Sequence, residues 1–236
     1  MQETDQIANL ETVEAVAWKQ LAVMVDDGSL SMTLELKEPD ESVEGILPVR
    51  TKAAGVESAL KDLINRMKAS EKAANFEFAF ISFNDQVTER KDPAPVMSIS
   101  TTESFDPTAN GTGGTAIHTG LLAAEEIVNQ FFAQHRGSEL PVSAVVVLMS
   151  DGEEMHDPKL TAEIGARLRE AANVNVAACL FATKSEPAHG DRLLESLVSE
   201  PRLYQRVYNT EQLRGFFWDS VTATRPALPA AGETGA

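Results

Sequence analysis

The sequence predicts an α/β domain with a Rossmann-like, mainly parallel central sheet, one antiparallel edge strand and helices on both faces. Two observations carry this expectation. Short, continuous apolar runs alternate with segments of helical periodicity along most of the chain, as sheet-and-crossover units require. Several of those runs also stop abruptly at Asp, Ser, Gly or Asn, as buried strands do where they emerge at a sheet edge.

The elements follow in order. Leu21 to Asp26 is the first strand, an apolar run that ends on two aspartates. A polar loop leads through Pro48 to a helix whose apolar residues Val56, Leu60, Leu63, Ile64 and Met67 share one face. Phe76 to Phe83 forms the next strand, and Asn84-Asp85 turns it into a weaker antiparallel edge strand around Val87. A loop rich in Ser, Thr, Asn and Gly runs from Ser98 to Gly114. It opens a helix striped by Ile117, Leu121, Ala124, Val128 and Phe131, ending near Gly137. Strand Val145 to Met149, a helix with Leu160, Ile164 and Leu168, and strand Val174 to Phe181 come next. Helix Leu193 to Val198, strand Leu203 to Tyr208 and a last helix with Leu213, Phe216, Phe217 and Val221 complete the domain.

This assigns residues 19–224 to one domain, residues 1–18 to an N-terminal extension and residues 225–236 to a disordered tail. The extension has apolar residues Leu10, Val13 and Val16 at helical spacing, and the tail is rich in Pro and small residues. No run approaches the ~20 apolar residues of a membrane span, and Met1 to Glu14 is acidic where a secretory signal is basic and then apolar. A soluble, cytoplasmic protein is expected. The net charge of −16 is spread along the chain, which argues against binding to nucleic acid or anionic membrane, since both need clustered Lys and Arg. Cys179 lies in an apolar run and reads as a core residue.

Three loops carry the chemistry. Asp27-Gly28-Ser29-Leu30-Ser31 follows the first strand, Gly113-Gly114-Thr115 opens the second helix, and Ser150-Asp151-Gly152 follows strand Val145 to Met149. In open α/β sheets the functional crevice lies beyond the carboxyl ends of the strands, so the first and third loops converge if their strands are neighbours. The glycines before Thr115 allow the second loop a close approach. The ordinary alternative for any one loop is turn and helix-cap chemistry, with Thr115 capping its helix and Ser29 satisfying backbone N–H groups.

Taken in order, Asp-x-Ser-x-Ser, a threonine after a glycine pair and an Asp-Gly after a central strand resemble the metal-ion-dependent adhesion site of von Willebrand factor A domains. The resemblance runs from about Lys19 to Thr224 and implies that fold. It also implies that Ser29, Ser31 and Thr115 offer hydroxyl oxygens to a divalent ion while Asp27 and Asp151 act through water or by hydrogen bonds to those hydroxyls. Three hydroxyls and two outer carboxylates suit Mg²⁺, with Mn²⁺ or Ca²⁺ as other candidates. The implied function is non-catalytic: a partner protein supplies a Glu or Asp to the metal. Leu30 and Ser150 stand where many relatives have glycine and threonine. Asp26, Glu153 and Glu154 are expected to be solvated rim residues, and Ser29 and Ser31 to sit on the rim as well. The compact chain and its ending Phe216-Phe217-Trp218-Asp219-Ser220-Val221 are similar in flavour to the intracellular TerY-like members of bacterial tellurite-resistance systems, which implies an adaptor role in stress response.

The competing reading is a Mg²⁺-dependent phosphotransferase or phosphatase of the haloacid dehalogenase class, using the Asp26-Asp27 strand end. Such enzymes need a second Asp two residues after the nucleophile, where this chain has Ser29 or Gly28. No Gly-x-Ser-x-Gly elbow surrounds Ser29, no Gly-Lys-Ser/Thr follows Gly111 to Gly114, and His118, His135, His156 and His189 show no zinc spacing.

Overall fold

A computed structural model describes residues 18–36, 51–100, 102–182 and 190–223. The expected leading helix and the tail from residue 225 lie outside the described residues. Six strands form one sheet: β1 (Lys19–Asp27), β2 (Phe76–Phe83), β3 (Val87–Pro95), β4 (Val142–Ser150), β5 (Val174–Phe181) and β6 (Tyr204–Val207). Their order across the sheet is β3-β2-β1-β4-β5-β6, and every pairing is parallel except β2 with β3. The Asn84-Asp85 turn therefore makes the antiparallel edge strand the sequence predicts, and β-bulges interrupt its register beside Phe80 and Phe83.

Five helices cover the sheet: α1 (Lys52–Ala69), α2 (Ile117–Gln134), α3 (Pro158–Glu170), α4 (Asp191–Leu197) and α5 (Thr210–Ala223). Each starts for a local reason where its sequence supplies one. The Thr51 hydroxyl accepts the Ala54 N–H at the head of α1, and Asp157 caps α3 ahead of Pro158. The apolar stripes predicted for α1 and α2 are all buried. Helices α1 and α5 pack together, and α2 packs against α3, β1 and β2. No helix among the described residues is long and apolar enough to cross a membrane.

The alternation of β1 decides what the site can use. Val25 faces α2, where its side chain would meet any Cβ added to Gly120, whereas Gln20 reaches the carbonyl of Val221 in α5. Odd-numbered residues of β1 therefore point toward α2 and even-numbered ones toward α5. Asp26 and Asp27, adjacent in sequence, belong to opposite faces. Strand order switches direction between β1 and β4, so the loops leaving these two neighbours diverge and open a crevice above their carboxyl ends.

Candidate metal centre

The crevice between β1 and β4 gathers the predicted residues. Asp27 is the last residue of β1, and its carboxylate is locked on both oxygens. Oδ1 accepts the N–H of Ser29 at 2.8 Å, and Oδ2 accepts the hydroxyl of Ser150 at 2.6 Å. Asp151, the first residue past β4, is held in the same way. Its Oδ1 accepts the Ser31 hydroxyl at 2.6 Å and its Oδ2 pairs with the Lys52 ammonium at 2.8 Å. The Ser29 and Ser31 hydroxyls lie 3.0 Å apart. Thr115 joins from the second loop: its hydroxyl sits 3.8 Å from the position a Cβ on Gly152 would take, and its carbonyl accepts the Met155 N–H at 2.8 Å. Helix α2 takes Ala116 as its N-cap, so Thr115 does not fill the capping position.

Backbone hydrogen bonds lace these loops together. The N–H of Leu30 reaches the carbonyl of Gly113 at 3.0 Å, Gly28 donates to Phe83 at 2.6 Å, and Ala116 donates to Asn84 at 2.8 Å. The turn between β2 and β3 acts as the clamp. Asp85 accepts the Gly114 N–H at 3.1 Å and meets the His156 ring at 2.9 Å. The glycine pair leaves room for that approach: a Cβ on Gly113 or Gly114 would fall 2.4 or 2.6 Å from the Asp85 carboxylate and push it aside. Gly28 has a similar constraint, since a Cβ there would lie 2.2 Å from the Pro107 carbonyl oxygen.

Three expectations are corrected. Asp26 is fully buried and not a solvated rim residue, because the strand alternation turns it under the α5 face; neither of its oxygens has a hydrogen-bond partner. Burial, and then the charge of Asp27, push its carboxyl well above the usual range, toward the protonated form. Glu154 is buried as well. One of its oxygens accepts the N–H groups of His156 and Asp157, and the other accepts the His118 N–H and the Thr161 hydroxyl. Burial alone would raise its pKa; these donors outweigh that and hold it below the usual carboxylate range. Glu154 thereby ties the loop after β4 to the heads of α2 and α3. Glu153 is exposed, as expected. Ser29 is only 2% exposed, so it lines the floor of the crevice, while Ser31 is half-buried.

Sequence reasoning missed Lys52, Ser150 and Asp85. Lys52 is 1% exposed and is among the largest fully buried side chains of the described residues. Nothing local marked it, since it reads as an ordinary charged residue at a helix start. Ser150 was available in the sequence as a hydroxyl beside Asp151, but its use by Asp27 depends on the β1–β4 register.

Among the described residues no three His, Cys, Asp or Glu side chains form a metal cage. What the crevice offers is three hydroxyls backed by two carboxylates whose oxygens are oriented by other hydrogen bonds, an all-oxygen environment suited to a hard cation. The residues fit.

A family profile for the von Willebrand factor type A domain matches residues 23–218. The chain belongs to that family. The vWA assignment agrees with similarity to solved structures. The pilus adhesin SpaC from Lactobacillus rhamnosus GG superimposes with a TM-score of 0.65 at 11% identity over 88% of this chain, which spans 30% of the adhesin's length. The vWF domain of the type V pili tip protein Mfa5 from Porphyromonas gingivalis matches with a TM-score of 0.58 at 12% identity, covering 93% of this chain and 99% of that one. Proximal thread matrix protein 1 from the mussel byssus, in a form with a zinc-occupied MIDAS motif, matches with a TM-score of 0.56 at 18% identity, covering 89% and 48%. At these identities the structures establish the shared fold. No curated protein sequence matches the chain. Domains of this family typically bind protein ligands through a divalent metal.

Two predictions follow from the electrostatics. Burial first, and then the charge of Asp151, raise the Asp27 carboxyl from 3.8 to about 7, partly offset by the bonds from Ser150 and Ser29. The fold therefore binds a proton at Asp27 that the unfolded chain has released, and metal-free stability falls as pH rises through that interval. Asp26 acts in the same direction. Thermal unfolding in chelator should show a declining midpoint from about pH 5 to about pH 8, with Mg²⁺ raising the midpoint most at the upper end. A flat profile in chelator would show Asp27 to be ionised throughout. For Lys52, substitution K52M leaves the Asp151 carboxylate buried without its ammonium. Denaturant unfolding in chelator should show a loss of about 3–5 kcal/mol, and calorimetry should show tighter Mg²⁺ binding because the crevice has become more negative. An unchanged stability would mean that Lys52 does not neutralise Asp151.

Proposed function

We propose that this domain is a non-catalytic adaptor that captures a partner protein by a Glu or Asp side chain at a divalent ion, Mg²⁺, held by Ser29, Ser31 and Thr115 with Asp27 and Asp151 behind them. When bound, the ion supplies a Lewis-acidic position that a partner carboxylate completes. The carrying observation is the direction of the hydrogen bonds. Ser31 gives its proton to Asp151, and Ser150 gives its proton to Asp27, so both carboxylates are satisfied from within the protein. With that proton committed, the Ser31 oxygen accepts the Ser29 hydroxyl and keeps one lone pair for a cation. Lys52 offsets the charge of Asp151, and the crevice retains too little negative charge to quench a divalent ion fully. An incoming carboxylate supplies the remainder.

The phosphotransferase reading fares worse on these observations. Asp26 is fully buried and faces away from Asp27, so it is out of reach as a nucleophile, and Asp27 has Ser29 where that mechanism needs its second aspartate. The zinc named for the mussel protein's MIDAS motif supports a metal at the corresponding place here. On the strength of the sequence resemblance we place the chain among the TerY-like intracellular bacterial adaptors, working in the cytoplasm with kinases, phosphatases or other stress-response proteins.

Replacing Ser29 and Ser31 together by alanine removes two hydroxyls without adding volume. Calorimetric titration should show Mg²⁺ affinity reduced at least about tenfold, about 1.4 kcal/mol, while circular dichroism remains that of the native fold. Undiminished Mg²⁺ binding by a folded double variant would exclude these serines as ligands.

A further inference from the structure

Five large apolar side chains are exposed among the described residues, and three of them sit on the loops that form the crevice: Leu30 at 64%, Leu34 at 55% and Met155 at 71%. Their placement is tied to the site by backbone bonds. The Leu30 N–H bonds to the Gly113 carbonyl and the Met155 N–H to the Thr115 carbonyl, so both residues are anchored on the short loop that carries Thr115. Leu34 closes the turn after Ser31, its N–H on the Ser31 carbonyl, while its own carbonyl accepts the Lys52 N–H. Within the same turn Met32 is completely buried and does the packing, which leaves Leu30 with no task in the core. Position 30 lies between two hydroxyl-bearing residues, where a small polar residue would satisfy the loop.

Single exposed apolar residues are ordinary on any surface. Three on the rim of one polar crevice are a different matter, because desolvating them requires a partner that also covers the crevice. The surrounding charge narrows that partner. With a net charge of −16, the protein repels a broadly acidic surface, so an acid that docks here is a local one and not part of an acidic patch, and the exposed apolar side chains beside the crevice match apolar neighbours. We propose that Leu30, Leu34 and Met155 form an apolar collar that selects a partner segment in which the carboxylate is flanked by apolar side chains. This inference rests on the metal-dependent capture proposed above and names the chemistry of what is captured.

The test uses two synthetic peptides, one with Leu-Glu-Leu and one with Ser-Glu-Ser at the centre of the same Gly/Ser frame, titrated calorimetrically into the full chain in Mg²⁺. The Leu-Glu-Leu peptide should bind at least about tenfold more tightly. In a variant carrying L30S, L34S and M155S the preference should vanish while Mg²⁺ affinity is unchanged. Equal affinity of the two peptides for the unaltered protein, or a preference that survives in the variant, overturns the collar and leaves metal-dependent capture standing. Failure of both peptides to bind a Mg²⁺-loaded protein overturns the collar together with carboxylate capture, and failure of Mg²⁺ itself to bind overturns the metal reading beneath both.

Discussion

Two carboxylates, Asp27 and Asp151, end up at the carboxyl ends of neighbouring parallel strands, in a crevice where water cannot disperse their repulsion. Most of the surrounding architecture answers that constraint. The Ser150 and Ser31 hydroxyls donate to the pair, the Ser29 amide donates to one member, and Lys52 brings a buried positive charge to the other. Even with these partners the Asp27 carboxyl is displaced to about 7, so the protein alone leaves the pair incompletely compensated. A divalent cation is the natural remaining partner.

The constraint also explains why the site needs elements far apart in the chain. Lys52 comes from the head of α1, Ser150 and Asp151 from the end of β4, and Thr115 from the loop before α2, with Asp85 of the β2–β3 turn bracing the glycines in front of it. The sheet order makes this possible, since β1 and β4 are neighbours at the point where the connections diverge. Glu154 adds rigidity by fastening the loop after β4 to two helix starts with four donors, a role that only an ionised carboxylate with two accepting oxygens can fill.

Much of the fold was readable in the sequence because its signals are local. Apolar runs marked five of the six strands within a few residues, the Asn84-Asp85 turn marked the start of β3, and the stripe from Val56 to Met67 marked α1. The ligand-like residues were readable because each sits in a short motif at an element end. Burial was not readable. Asp26 and Glu154 look like surface acids in the sequence, and only the alternation of β1 and the packing of three helix and loop ends make them interior groups. Lys52 escaped for a related reason: its partner is 99 positions away, and no local pattern foretells an ion pair at that distance.

The central claim is that the Ser29, Ser31 and Thr115 hydroxyls together form a divalent-cation site backed by Asp27 and Asp151. Anomalous diffraction from crystals grown with Mn²⁺ tests it most directly. A single strong peak in bonding contact with those three hydroxyls, with both carboxylates behind them, is the predicted result. A peak elsewhere on the protein, or none at this crevice at saturating Mn²⁺, would contradict the account.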